Sequence, residues 1–190
     1  GTVGRRVARQ SACTILGDVE VGKPRAYFAP FDPVEDQVLC ALDSATREVV
    51  VAQYNIRSER VLSKLIALHH RGVDVRIAVD AANAENEWNE GDDRLVREGI
   101  KLVRFRPTAT NAIMHLKATV IDGTFAMTGS FNWNETAAAG NDENMLAFRD
   151  AELVSRYRRQ ILELLGESPR AVDVARATPW AAVMFSPETS

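Results

Sequence analysis

The chain has 190 residues, 46% of them hydrophobic and 26% charged. That balance excludes a disordered, collagen-like or disulfide-stapled polypeptide and suits one core that buries about 70% of the unfolded surface. Lys and Arg number 23 against 26 Asp and Glu, a formal net charge of -3, which excludes a generally basic nucleic-acid coat but not a local basic cleft.

Residues 1–25 carry Arg5, Arg6 and Arg9 with little periodicity and read as an N-terminal extension, with Thr14, Ile15 and Leu16 as a short strand or packed arm. Residues 26–29 predict a short strand. Asp32, Pro33 and Glu35 then predict an N-cap, an N1 proline and a capping-box acid for a helix to about Ala45. Residues 48–54 are rich in β-branched side chains and predict a buried strand. Ser58 caps a predicted helix whose Val61, Leu62, Leu65, Ile66 and Leu68 recur at helical spacing until Gly72 ends it. Residues 73–79 predict a second buried strand, and two successive strand-helix-strand units point to a parallel arrangement there.

Residues 80–91 are polar and read as a loop holding Trp88; residues 92–98 predict a short helix ended by Gly99, and residues 100–105 a strand. Two apolar runs, 114–121 and 125–128, flank Asp122-Gly123, a strong hairpin signal. Residues 144–148 predict one more strand and 151–165 a last helix with Val154, Tyr157, Ile161 and Leu164 on one stripe. The folded domain is therefore set at residues 26–165. The segment 166–190 reads as a tail whose Phe185-Ser186-Pro187 echoes Phe28-Ala29-Pro30; it is either the start of a second copy of the domain or a simple edge strand. No apolar run reaches the roughly 18 residues of a membrane span, and no basic-then-apolar signal opens the chain. Gly1 at the start leaves the compartment open, with export to the periplasm or the exterior as the expectation. Of the two cysteines, Cys40 falls on an apolar helical stripe and is expected to be a buried free thiol.

His115 and Lys117 differ by two on a predicted strand, so both side chains share one face, while Leu116, Ala118 and Val120 face a core. The hairpin lays Gly129-Ser130-Phe131-Asn132 beside them, so a hydroxyl and a carboxamide converge on the imidazole and the ammonium. Glu143 starts the next strand. His69 and His70, the other two histidines, fall on a helix away from this constellation and read as surface or packing residues.

His115, Lys117 and Asp122, followed by Gly129, Ser130 and Asn132, resemble the signature of the phospholipase D superfamily, His-x-Lys-x4-Asp with a downstream Gly-Ser-x-Asn. The resemblance covers residues 26–150. It implies a mixed α/β fold, a central β-sheet flanked by helices on both faces. It also implies a phosphodiesterase that needs no metal and no cofactor and works through a phosphohistidine. His115 would attack phosphorus while Lys117 and Asn132, with Ser130 as a further donor, stabilise the charge on the phosphoryl oxygens. Glu143 is the candidate for orienting the imidazole. Asp122 has two readings, a catalytic motif member or the cap of the Asp-Gly turn.

The reaction needs a second histidine to protonate the leaving oxygen, and one motif supplies one. The resemblance therefore implies a homodimer with a shared active site, or a second motif in a longer native chain. Compact single-motif members favour a nuclease, endonuclease-like, acting on DNA or RNA. Arg104 and Arg106, with Arg57 and Arg60, are candidates to line a groove for the polyanion, and Trp133 is either a cleft residue or a core residue. The alternatives are a phospholipase D acting on phospholipid headgroups and a non-catalytic binding module of the same fold. Trp88, Trp133 and Phe131 are the apolar residues that could meet lipid.

Overall fold

A computed structural model describes residues 12–85 and 90–167. In chain order the elements are α1 (Ile15–Asp18), β1 (Arg25–Ala29), α2 (Val34–Asp43), β2 (Glu48–Gln53), α3 (Glu59–His70), β3 (Asp74–Asp80), α4 (Ala81–Ala84), α5 (Glu90–Arg97), β4 (Lys101–Phe105), β5 (Ala118–Ile121), β6 (Phe125–Gly129), α6 (Glu135–Ala139), β7 (Glu143–Phe148) and α7 (Ala151–Leu164). The strands form one seven-stranded sheet in the order β1-β7-β6-β5-β2-β3-β4. β2, β3 and β4 run parallel, joined by right-length helical crossovers, while β5, β6 and β7 run antiparallel through the hairpin and its return.

Strand periodicity assigns the two faces. Val49, Val51, Ile77, Val79, Ile121 and Met127 pack on one side with Val38 and Leu42 of α2 and Val61, Leu65 and Leu68 of α3. Val50, Ala52, Ala78, Ala118, Val120 and Ala126 face the other side, under Val154, Ile161 and Leu162 of α7. Each of these branched side chains contributes about 1.5–3 kcal/mol through burial, so alternation along β2 and β5 secures both layers at once. The expected mixed sheet with helices on both faces is the observed one.

Several local expectations are overturned by tertiary partners. Asp32 does not cap α2: its carboxylate accepts from the Phe28 N–H at 2.8 Å and closes the preceding turn, and α2 starts at Val34 after Pro33. Glu35 closes no capping box; it accepts from Ser58 Oγ and from Arg60 of α3. Cys40 is not a free thiol but is disulfide-bonded to Cys13, with the two Cα atoms 5.6 Å apart. The cause is Gln37, one helical turn earlier on the same face. Its amide holds the backbone of Ala12, Thr14 and Ile15 and brings the arm along α2.

The polar stretch after β3 is not wholly loop, since Asp80 caps α4. Trp88 and the apolar run near the C-terminus lie outside the described residues. The strand expected over 114–121 forms a ladder only from Ala118. The pairings of β5 with β2 and β6 end at Ala52 and Thr128, so residues 112–117 run without a strand partner. Among the described residues no helix is long and apolar enough to cross a membrane.

Candidate active site

The ends of β2, β3 and β4, the entry to β5, the exit from β6 and the entry to β7 meet at one edge of the sheet. His115 and Lys117 lie on the segment entering β5. The alternation expected for a strand persists here without the ladder: Leu116 and Ala118 pack toward α7 while Lys117 and Thr119 turn to the opposite face. Lys117 is only 5% exposed, and its Nζ donates to the carbonyl of His115 at 2.9 Å. Tyr54, just beyond β2, touches both residues. Its ring meets the His115 imidazole edge-on with centroids 5.1 Å apart, and the Lys117 ammonium lies 5.4 Å from its centroid. These contacts restrict the imidazole while leaving His115 exposed to solvent.

Burial pushes Lys117 down to about 8, against a smaller upward pull from Glu143. Desolvation also lowers His115 below its ordinary value, aided by the Lys117 charge and opposed by Asp80. At neutral pH the pair is therefore a neutral imidazole beside a cationic ammonium, the states a nucleophile and an oxyanion stabiliser require. Behind Lys117 is a cavity of about 10 Å³, enough for about one water, lined by Gln53, Met127, Phe131, Trp133 and Met145. Gln53 is 2% exposed, and its Oε1 has no protein partner.

The segment after β6 is held tightly. A Cβ on Gly129 would overlap the Asn144 carbonyl, which explains why glycine stands here. Ser130 donates its single proton to Glu143 and accepts from the Asn144 N–H at 3.0 Å. The carbonyl of Trp133 accepts from Arg57 N and Ser58 N at 2.7 and 2.9 Å, and Asn134 caps α6 while donating to Asn55. Asn132 is half-buried in this braced loop, with its Oδ1 turned inward and no protein partner for that atom.

Two expectations, for Glu143 and Ser130, need correction, and two open readings, for Asp122 and Trp133, are decided. Glu143 does not contact the imidazole: its two oxygens take the Ser130 hydroxyl and, at 3.0 Å, the Asn141 amide. For the same reason Ser130 has no proton left for a substrate oxygen. Asp122 sits at the far end of β5 with a positive φ of 52°. Its carboxylate accepts from Thr46 N, Thr46 Oγ, Arg47 N and Glu48 N at 2.8–3.0 Å, so it is the turn cap and not a member of the site. Trp133 is 2% exposed in the core shared with α2 and α3, so its core reading holds, and it lines the small cavity behind Lys117 from within.

Arg57 follows β2 and Arg104 and Arg106 stand at the end of β4; Arg104 pairs with Asp93 at 2.6 Å, Arg106 with Glu85 at 2.5 Å, and Arg57 touches the Asn83 side chain at 3.4 Å. Arg60 is drawn away by Glu35 and Asp36. His70 pairs with Glu98 at 3.0 Å, at the other end of the sheet with its neighbour His69. Tyr54 and Asp80, both at strand ends beside His115, went unmarked in the sequence. The available signal was a polar residue closing each of two apolar strands.

A His-x-Lys segment enters one strand and a Gly-Ser-x-Asn segment leaves its hairpin partner, in a mixed α/β sheet layered by helices. The chain belongs to the phospholipase D-like family: residues 38–165 match the family described as cardiolipin synthase, PLD-like domain. It is 32% identical over 123 residues to a mitochondrial cardiolipin hydrolase of Chlamydomonas reinhardtii, covering 65% of this chain and 53% of that protein. A phospholipase D of Rickettsia bellii is 29% identical over 145 residues, covering 75% and 69%. The chain thus spans about half the length of the cardiolipin hydrolase it matches. Among solved structures, a phospholipase D family member, Nuc, from Salmonella typhimurium superposes with a TM-score of 0.69 at 23% identity, over 77% of this chain and 95% of the other.

Proposed function

We propose that the protein hydrolyses a phosphodiester by covalent catalysis. A His115 ring nitrogen attacks phosphorus, the bond from phosphorus to the leaving oxygen breaks as the nitrogen–phosphorus bond forms, and water then releases the phosphoryl group. The observation that carries this reading is the pairing of an exposed imidazole, lowered below its ordinary value, with a buried Lys117 held at about 8. Lys117 and the amide of Asn132 stabilise the phosphoryl oxygens. Ser130 and Glu143 act one step back, bracing the Gly129–Asn132 turn against β7.

His69 and His70 stand at the other end of the sheet, so the proton for the leaving oxygen comes from outside the described residues. A second copy of the same motif, in a homodimer or in a longer chain, meets that need.

The substrate class proposed first is a phospholipid. The named relatives act on cardiolipin or are phospholipases D, and exposed apolar side chains, Phe31 at 87% and Ile113 at 46%, flank the catalytic edge. The nuclease reading is supported by Arg104 and Arg106, whose exposed ion pairs a polyanion can displace, and by Arg57 on the neutral Asn83 amide. The Cys13–Cys40 disulfide supports export to an oxidising compartment, which thiol titration of the unreduced native protein tests.

The deciding experiment measures turnover of cardiolipin and phosphatidylcholine vesicles, single-stranded DNA and RNA in excess EDTA, with H115A as control. Headgroup release with an acid-trapped phosphohistidine supports the lipid reading, and strand cleavage replaces it with the nuclease. Equal activity of H115A removes the mechanism.

A further inference from the structure

We infer that Asp80 is a positioning residue for His115, tethering the backbone just before the imidazole and setting a negative charge beside it. This rests on the reading of His115 as the nucleophile. Asp80 closes β3 at the catalytic edge and is 1% exposed. Its Oδ1 accepts from the Asn83 N–H at 2.8 Å as the cap of α4, and its Oδ2 accepts from the Met114 N–H at 2.7 Å. Met114 adjoins His115, and its side chain is buried in the core under α7. On the other side of His115, Lys117 Nζ binds the His115 carbonyl. The nucleophile is thus bracketed by one hydrogen bond at the preceding amide and one at its own carbonyl.

The bracket matters because no strand ladder holds this backbone; besides it, the Lys117 carbonyl accepts from Thr128 Oγ1 at 2.9 Å and Met114 and Leu116 pack under α7. Residues 106–113 are nearly all exposed, contain Pro107 and the left-handed Asn111, and join no strand. An asparagine at position 80 would offer one acceptor and turn an NH2 against the second N–H, so two converging amides select a carboxylate. A capping role alone is met equally well by a neutral serine.

The charge has its own use. Lys117, Arg106 and Glu143 are the other charged groups around His115 and its tether, with the Tyr54 ring against the imidazole. Arg106 is engaged by Glu85 and Glu143 by Ser130. Asp80 therefore offsets Lys117 as the imidazole gains positive character on becoming phosphorylated.

Two variants test the tether and the charge together. Asp80→Ser keeps the cap on Asn83 but is neutral and too short to reach Met114; Asp80→Asn keeps the length but loses the charge and one of the two acceptors. In both, kcat is expected to fall about tenfold to a hundredfold, the cost of a misplaced reacting group, with KM little changed. The His115 imidazole titration, followed by NMR in the free protein, is expected to move to lower pH, and the acid limb of the pH–rate profile to move with it. The Met114 amide should be protected from hydrogen exchange in the wild type and unprotected in Asp80→Ser. Wild-type kcat and wild-type His115 titration in a folded Asp80→Ser overturn the inference, as does an unprotected Met114 amide in the wild type. The titration and the exchange are read without substrate, so they judge Asp80 separately from the nucleophile assignment, which H115A judges.

Discussion

The two ends of the central sheet use the same kinds of charged side chain in opposite ways. At the end away from the site, Arg76 and Arg158 converge on Glu48, Arg76 and Lys101 share Glu167, and the four polar contacts of Asp122 tie the β5–β6 turn to the start of β2. Burial opposes ionisation of Glu48, yet the arginines around it hold it below its usual range. At the catalytic end, Lys117 is buried with one hydrogen bond to a carbonyl, and Gln53 Oε1 and Asn132 Oδ1 have no protein partner. At the far end Arg76 Nε, without a hydrogen bond, still lies 3.2 Å from the Asp74 carboxylate, so its charge is paired; paired charge networks stabilise, and polar groups left partly unsatisfied cost stability and are retained where a reaction uses them.

The sharpest way to break this contrast is His115→Ala, expected to lower turnover about a thousandfold or more while leaving Tm unchanged, as read by calorimetry beside a phosphodiesterase assay. Lys117→Met comes next, with a loss of about 10²–10³ in kcat. Because Lys117 must be cationic, wild-type kcat should rise as His115 loses its proton below the usual histidine range and fall as pH passes about 8. The falling limb should vanish in the variant. A buried lysine lowered from 10.5 is bound to fewer protons in the native than in the unfolded state between those values, so wild-type stability rises with pH from about 8 to 10.5. Lys117→Met removes that dependence and should stabilise the fold at pH 7 by about 1–3 kcal/mol, checked by urea titration at both pH values.

At the other end the expected loss is in stability. Asp122→Ala should cost about 3 kcal/mol, since a carboxylate holding several N–H groups is removed, with kcat of the folded enzyme unchanged. The folded carboxyl lies below its ordinary value despite partial burial, through its bonds to Glu48, Thr46 and Arg47. Its contribution is present above the unfolded carboxyl range and lost as pH falls through the lowered folded value, so Asp122→Asn should flatten the acid limb of stability against pH. The smallest effect is reduction of Cys13–Cys40, about 2 kcal/mol, followed as a shift in urea midpoint with and without reductant and expected to spare turnover.

Much of the architecture was legible because its signals are local. Alternation along 48–53 and 74–80, the helical stripe of 59–70 and the Asp122-Gly123 turn each depend on neighbours within a few residues. His115 and Lys117 stood out because a strand period of two forces them onto one face. The misreadings share one cause, competition from partners distant in sequence: Glu35 prefers Ser58 and Arg60 of α3 to its own helix end, Glu143 is taken by Ser130 and Asn141, and Gln37 draws Cys13 to Cys40.

What the sequence by itself determined is the mixed α/β plan and the motif by which the chain resembles the phospholipase D-like family, since periodicity and motif spacing are properties of short stretches of chain. Only the tertiary structure decided which motif residues meet. It set Asp122 at the quiet end of the sheet, buried Trp133, matched Arg104 and Arg106 with carboxylates, and brought Tyr54 and Asp80 against His115. Those outcomes depend on strand order and on which of several partners reaches each polar group first, and both are settled by packing across the whole sheet.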